Sequence, residues 1–194
     1  MNHQPKLIYL ARHAPGLGSG CFTSRWREHD ALGMSRPRWR NVARYVHVDL
    51  EPGCGFDAIG MIWHRSPEHR AAHLADTTSR AEMEADEAAT FARPIAESCL
   101  AAREEVLVAP SDAATWLMVA FLDHSHPELT VANHCGHIRN FPLAPERATG
   151  WGLMSAQIDE FSFARRADAV AAAKALEAPE VMLVVGRAVE LYRR

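Results

Sequence analysis

Histidine and tyrosine side chains that can move protons alternate along one short segment of the chain. In residues 41–50 (NVARYVHVDL), Tyr45, His47 and Asp49 fall on one side of an extended strand, and the valines fall on the other. A histidine that titrates near neutral pH can act as a general acid or base, and a tyrosine hydroxyl can donate to an enolate oxygen. Because helices are expected to cover the valine side, we predict that Tyr45 and His47 face a cavity and that His47 is a catalytic acid–base group.

A second candidate acid–base group lies on the first predicted helix. Phe22, Trp26 and His29 recur at helical spacing in residues 22–32. His29 falls near the C-terminal end of this helix, where the helix dipole favours a protonated imidazole. It is either a catalytic group at the rim of the cavity or a structural histidine that fixes the following loop. The side chains predicted to contact a substrate are Tyr9, His13, Tyr45, Met61 and Trp63.

Four of the eleven histidines form a cluster with the composition of a metal site. His124 and His126 are followed by His134 and His137, which together supply enough nitrogen ligands for zinc or iron. These residues fall in a predicted polar loop, and a chain this rich in histidine forms such clusters by chance. We therefore predict no bound metal. We also predict no organic cofactor, and the glycine-rich segment at residues 16–21 lacks the third glycine of a dinucleotide-binding motif.

Residues 8–16 (IYLARHAPG) support a rival interpretation, because they look like the opening of a histidine phosphatase. In that case His13 would be the nucleophile, and Arg12 and Arg70 would serve the phosphate pocket. The chemistry needs a second histidine after a late strand, and the comparable segment, residues 106–113 (VLVAPSDA), has none. This alternative depends on a parallel sheet with crossover helices, so the sheet topology tests it.

Strand and helix signals predict the order β-α-β-β-α-β in the first half of the chain and a weaker copy in the second. The first half has predicted strands at residues 6–13, 41–50, 56–64 and 105–109, and Ser66-Pro67-Glu68 is a strong start for its second helix, which runs to about Phe91. The second half has predicted strands at residues 115–122, 152–161 and 181–191 and a helix capped by Ser162. We therefore predict an α+β fold of two ferredoxin-like units, residues 1–110 and 111–194, packed sheet to sheet within one chain as an α+β barrel.

The residues in these elements resemble the EthD-like branch of the dimeric α+β barrel superfamily. The matching segments are KLIYLARHAPGLG, FTSRWREHDAL, RYVHVDL, FDAIGMIWHRSPE and MEADEAATF. The resemblance covers about residues 5–110 and is carried by the order and spacing of the segments. His47 stands where the family often has Gln, and Met61 stands where an acidic residue is common. The resemblance implies a lyase, an isomerase or a monooxygenase, and relatives of similar fold include cofactor-free enzymes.

Composition and charge limit the class of partner. The 194 residues are 48% hydrophobic and 23% charged, with a formal net charge of −3, so the chain can bury a core and has no basic excess for nucleic acid. The four cysteines form no C-x-x-C pair, which indicates free thiols in a reducing compartment. No signal-peptide pattern and no membrane-spanning apolar stretch is present, so we expect a cytoplasmic protein.

Together these observations favour a small hydrophobic ligand, held by one chain or by a homodimer. The predicted function is cofactor-free proton-transfer chemistry, namely cyclisation, isomerisation, dehydration or decarboxylation of a hydrophobic carbonyl or aromatic compound. The alternative from another class is a ligand-binding or stress-associated module without turnover.

Overall fold

Eight strands close into a barrel in the computed structural model, which describes residues 4–144 and 150–194. The strands are β1 (Lys6–Ala11), β2 (Val42–Leu50), β3 (Ala58–His64), β4 (Cys99–Val108), β5 (Trp116–Leu122), β6 (Gly136–Pro142), β7 (Gln157–Phe163) and β8 (Val181–Arg193). Every neighbouring pair is antiparallel. The parallel sheet on which the phosphatase alternative depends is therefore absent from the described residues, and that alternative is wrong.

The order of strands around the barrel repeats with an offset of four. The series β4-β1-β3-β2 is followed by β8-β5-β7-β6, and β6 then pairs with β4 to close the ring. Long pairings of β2 with β8 and of β4 with β6 join the two halves. A closed barrel leaves no free sheet edge, and its interior must be filled by one of the two sides of every strand.

Helices cover the outside of the barrel unevenly. They are α1 (Ser19–Met34), α2 (Pro67–Ala75), α3 (Arg80–Thr90), α4 (Ile95–Ser98), α5 (Arg166–Ala175) and a short 3₁₀ helix (Pro37–Asn41). Ser66 caps α2 as predicted, since its hydroxyl accepts from the His69 backbone N–H at 3.2 Å. Ser162 does not cap α5, because it lies inside β7 and Arg165 precedes the helix. None of the described helices is long and apolar enough to cross a membrane.

The barrel interior takes the side of each strand that carries aliphatic residues. Val46 pairs with Met61, and Val48 pairs with Ile59, in a core that also contains Ile8. The opposite sides of the same strands carry the larger aromatic residues, and these pack beneath α1. The prediction that helices cover the valine side of β2 is therefore wrong. Branched aliphatic side chains from eight strands fill a narrow closed interior, and helix α1 supplies large partners for the aromatic side.

Candidate functional site

A cavity of about 350 Å³ opens at the end of the barrel where β1 and β2 begin and where β3 and β8 end. Ligand pockets in proteins start at about this volume and often lie in the mouths of β-barrels. The wall combines apolar and polar side chains from several strands: Arg44, Val46, Met61, Trp63, Leu117, Ile138, Glu160, Ser162, Ala188, Glu190 and Arg193. The loop between β4 and β5, which includes Asp112, borders the same opening.

An ion cluster centred on a fully buried lysine lies beside this cavity. The Lys6 ammonium donates to Glu104 Oε2 at 2.9 Å and to Glu160 Oε1 at 2.5 Å, and its Nζ lies 4.4 Å from the centroid of the Trp63 ring. Asn140 Nδ2 also donates to Glu160 Oε1, at 2.7 Å. Removing charges from water is costly, and this cluster offsets the cost by giving the ammonium two carboxylate partners.

The pKa of Glu104 shows whether burial or the nearby charge and hydrogen bonds dominate in this cluster. Burial raises the pKa of this carboxyl, but the charge of Lys6 and hydrogen bonds from Lys6 and Trp63 outweigh burial and hold the pKa below its usual value. Trp63 Nε1 donates to Glu104 Oε2 at 2.9 Å. Glu104 is therefore an ionised, fixed group at neutral pH, and it supports the lysine rather than titrating with it.

Glu160 combines deep burial with a position on the cavity wall. Its residue is 3% exposed, its Oε1 accepts from both Lys6 and Asn140, and its Oε2 has no hydrogen-bond partner among the described residues. Ser162 stands two residues further along β7 and lines the same cavity. One strand thus presents a carboxylate and a hydroxyl side by side, which can remove a proton from a carbon acid and hydrogen-bond the oxygen that becomes negative.

The other end of the barrel is filled by protein. The Arg12 guanidinium lies 4.6 Å from the ring centroids of both Phe56 and Trp151, and Trp151 Nε1 donates to the Leu10 carbonyl at 3.1 Å. His13 lies at this end, where its Nδ1 is 2.8 Å from Asp57 Oδ2. His13 therefore lies at the end of the barrel opposite the cavity that Met61 and Trp63 line. Its predicted contact with the same substrate is not supported.

His47 and both predicted tyrosines lie on the outer side of the sheet, beneath α1. Tyr45 OH donates to Asp30 Oδ1 at 2.8 Å and lies 2.7 Å from Tyr9 OH. His47 Nε2 lies 2.6 Å from Tyr45 OH and 2.9 Å from Asp30 Oδ2, and its ring centroid is 3.7 Å from that of Trp26. The structure thus brings the predicted residues together, but the prediction that they face the barrel cavity is wrong. Tyr45 and His47 pair across β3 with Ile62 and Gly60, whose side of the sheet is covered by the helix.

Burial dominates the electrostatics of this group, which we call the helix-side network (Tyr9, Asp30, Tyr45 and His47). Burial raises the pKa of Asp30 to about 7, although the Tyr45 hydroxyl and the Arg27 charge oppose this shift. Burial also raises the pKa of both tyrosines well above their usual value. The network joins α1 to β1 and β2 through short hydrogen bonds in a dry environment, so it fixes the helix on the sheet.

His29 does not lie at the rim of the cavity, so that prediction is also wrong. Its Nδ1 lies 2.6 Å from Asp86 Oδ2 on α3, and the residue is buried. Burial lowers the pKa of His29, while the hydrogen bond and charge of Asp86 oppose the shift. This pair fastens α1 to α3, which corresponds to the structural alternative for His29.

The histidine cluster of the second half is divided between two places. The ring centroids of His124 and His126 are 4.2 Å apart, and those of His134 and His137 are 5.8 Å apart. His137 stacks on Phe161 with a centroid distance of 4.1 Å. Across residues 4–144 and 150–194, no three side chains of His, Cys, Asp or Glu are arranged to hold a metal.

Sequence reasoning missed Lys6, Glu104 and Glu160, although alternation along two strands carried a signal. Lys6 has the parity of Ile8 and Leu10 in β1, and Glu160 has the parity of Ile158 in β7. A lysine and a glutamate on the aliphatic side of two strands predict a buried ion pair once that side is known to face inward. The choice of the wrong side for the interior hid this signal.

Comparison with solved structures identifies the fold. An anthrone oxidase-like protein matches over 97% of this chain and 92% of its own, with a TM-score of 0.60 and 12% identity. A chlorite dismutase mutant from Candidatus Nitrospira defluvii, solved with cyanide, matches over 97% and 91% with a TM-score of 0.55 and 9% identity. A protein provisionally assigned as a monooxygenase, from Lactobacillus acidophilus, matches over 98% and 94% with a TM-score of 0.53 and 9% identity.

These proteins belong to the dimeric α+β barrel superfamily. This chain has the same fold. The α+β class and the barrel predicted from the sequence are thereby confirmed at the level of the fold, while the EthD-like branch stays a prediction. No protein-family model and no curated protein matches the sequence, and identities of 9–12% carry no information on activity.

Proposed function

We propose that the barrel binds a small, largely apolar carbonyl compound in the open cavity and catalyses proton transfer there without a cofactor. The observation that carries the proposal is the Glu160 carboxylate, which is buried and fixed through one oxygen by Lys6 and Asn140, while its other oxygen has no hydrogen-bond partner in residues 4–144 and 150–194. A fixed carboxylate in a cavity of about 350 Å³ needs little reorganisation when it accepts a proton.

Each residue of the cavity has a distinct role in this proposal. Glu160 removes a proton from the carbon next to the carbonyl group, and the Ser162 hydroxyl donates to the enolate oxygen that forms. Lys6 holds the Glu160 carboxylate in position through its hydrogen bond to Oε1. Met61 and Trp63 contact the apolar body of the substrate, in keeping with their expected role in binding. His47 and His29, which the sequence suggested as catalytic groups, hold α1 in place instead.

The repeated strand order supports a further part of the proposal, that residues 1–110 and 111–194 are two ferredoxin-like units. The second unit then lacks the counterpart of α1, and the segment between β5 and β6 occupies that position on the sheet. The two sheets together form the barrel, so the cavity requires both units. Expression of residues 1–110 alone should give a chain that self-associates or fails to fold, as seen by size-exclusion chromatography.

Exchange of acidic C–H protons in deuterated buffer tests the catalytic proposal without knowledge of the natural substrate. 2-Tetralone is a suitable probe, because its α-protons are acidic and its body is a small fused ring. We expect the protein to accelerate deuterium incorporation measured by NMR, and Glu160→Gln to reduce the acceleration by about 100-fold or more. Glu105→Gln is the matched control, since Glu105 is an exposed neighbour of Glu104 on β4 and should leave the rate unchanged.

The outcomes separate the two function classes. Exchange that depends on Glu160 supports an enzyme. Binding of 2-tetralone, seen as a change in tryptophan fluorescence that Trp63→Phe removes, without any accelerated exchange would overturn catalysis on this carbonyl class and favour the ligand-binding module. Absence of both binding and exchange across a panel of aromatic ketones would overturn the cavity proposal itself.

A further inference from the structure

Arginines gather on one side of the cavity mouth. Arg44 and Arg193 line the opening and share a single carboxylate: Arg44 Nε donates to Glu190 Oε2 at 2.7 Å, and Arg193 Nε and Nη2 donate to the two oxygens of Glu190 at 2.6 Å each. Two guanidinium groups therefore meet one carboxylate, which leaves some of their N–H donors at the rim without a partner in the part of the chain that the structure describes. The Arg44 guanidinium also lies 4.6 Å from the Trp63 ring centroid, which orients it across the wall of the cavity.

Three more arginines surround the same end of β2, β3 and β8. Arg65 Nη1 donates to the Arg40 carbonyl at 3.4 Å, and Arg194 Nη1 donates to that carbonyl at 3.3 Å. All three side chains belong to exposed residues, and no carboxylate in the described part of the chain forms a salt bridge with any of them. Positive charge concentrated on one side of an opening raises the local concentration of anions and speeds their entry.

We infer that the ligand of this cavity is an organic anion: an apolar body that enters the barrel, with one carboxylate, sulfonate or phosphate group held at the rim by Arg44 and Arg193. This inference rests on the proposed function of the cavity and adds the chemical class of its ligand. Planar guanidinium groups bind such anions through paired N–H donors. The overall charge of −3 makes a local excess of arginine at one opening a feature of this site rather than of the whole surface.

Two fluorescent probes that differ in charge test the inference. The anionic probe is 8-anilinonaphthalene-1-sulfonate, and the neutral probe is N-phenyl-1-naphthylamine, which has a similar body without the sulfonate. We expect Arg44→Gln/Arg193→Gln to raise the Kd of the anionic probe about tenfold or more at low salt and the Kd of the neutral probe less than about twofold. Arg187→Gln is the matched control, because Arg187 is exposed on the same strand, pairs with Trp116 on the outer side and lies away from the cavity lining.

Two variants that fill the cavity with a bulky side chain test whether both probes bind there. Ala188→Phe fills the wall, and Ala114→Trp fills the bordering loop without changing a strand, so each should abolish binding of both probes in a protein whose circular dichroism is unchanged. Equal effects of the arginine changes on both probes, or no effect on either, would overturn the anion inference and leave the cavity proposal standing. Failure of the neutral probe to bind wild type, or binding that survives both blocking variants, would overturn the cavity proposal.

Discussion

Replacement of Lys6 by Met tests the ion cluster that the cavity proposal requires. The change keeps the length of the side chain and removes the ammonium that lies 2.9 Å from Glu104 and 2.5 Å from Glu160. The buried Glu160 and half-buried Glu104 carboxylates then lose their shared partner, and breaking a buried pair in this way costs about 3–5 kcal/mol of the free energy of unfolding. We expect that loss at pH 8.

The loss of stability in Lys6→Met should be larger at high pH than at low pH, because of the lowered pKa of Glu104 in the wild type. In the wild type the pKa of Glu104 is held below its usual value, so its contribution to stability is present above that value and disappears as the pH falls through the lower pKa of the folded state. In Lys6→Met the charge and the hydrogen bond of Lys6 no longer oppose burial, so the pKa of Glu104 rises and the folded variant regains stability as the pH falls from 8 to 5. The destabilisation measured at pH 5 should be less than half of that at pH 8.

Urea unfolding of both proteins at several pH values measures this difference. Glu190→Gln is the control, because its ion pairs are solvent-exposed and such pairs contribute about 0–1 kcal/mol. In Lys6→Met/Glu160→Gln one of the two charges is also removed, so this double variant should recover part of the loss at pH 8. A destabilisation below about 1 kcal/mol, or one that stays constant from pH 5 to pH 8, would refute the account of Lys6 as the charge that holds the two carboxylates.

Three further predictions concern the outer side of the sheet. Gly60→Ala should lower the free energy of unfolding by about 3 kcal/mol, because the new Cβ would overlap the Tyr9 ring, whereas Gly20→Ala has no heavy atom nearby and should cost nothing; chemical denaturation of both variants decides this. Asp30 has a pKa of about 7 when folded and an ordinary one when unfolded, so wild-type stability should lose a contribution as the pH rises from 4 to 7, and Asp30→Asn should remove that decrease. His64 acts in the opposite direction. Burial lowers its pKa to about 4, so its contribution to stability should be lost as the pH drops from 6.5 to 4, and His64→Leu should remove this loss in the same titration.

Local sequence patterns predicted elements well where one signal acted alone. Ser66-Pro67 marked the start of α2, and alternation predicted β2 and β3 to within a few residues. The long helix expected from Ser66 to about Phe91 is divided in two, because residues 76–79 interrupt it between α2 and α3. Alanine-rich composition favours helix throughout such a stretch and carries little information about where the chain must turn to follow the barrel.

The choice of interior side could not be made from single strands. Each side of β2 is a plausible core: one carries Val46 and Val48, and the other carries Tyr45 and His47. The side that faces the helix is decided by residues of another element, α1. Trp26 packs against His47, and Asp30 accepts a hydrogen bond from Tyr45. Polar side chains that alternate along a strand therefore could not indicate whether a cavity or a helix lies opposite, and the prediction of a cavity beside Tyr45 and His47 failed for this reason.

The ion cluster inside the barrel is costly for stability, and this cost yields a last prediction. Replacement of a buried ionic group by apolar residues of similar volume is often neutral or stabilising by about 1–4 kcal/mol, because it removes the desolvation penalty of every charge together. Lys6→Met/Glu104→Leu/Glu160→Leu should therefore fold and unfold at least as stably as wild type in urea, unlike Lys6→Met alone. It should still lose all Glu160-dependent proton exchange. A triple variant that is much less stable than wild type would mean that the cluster itself holds the barrel together. If the variant is stable but inactive, the charges inside the barrel serve the ligand, because the fold can form without them.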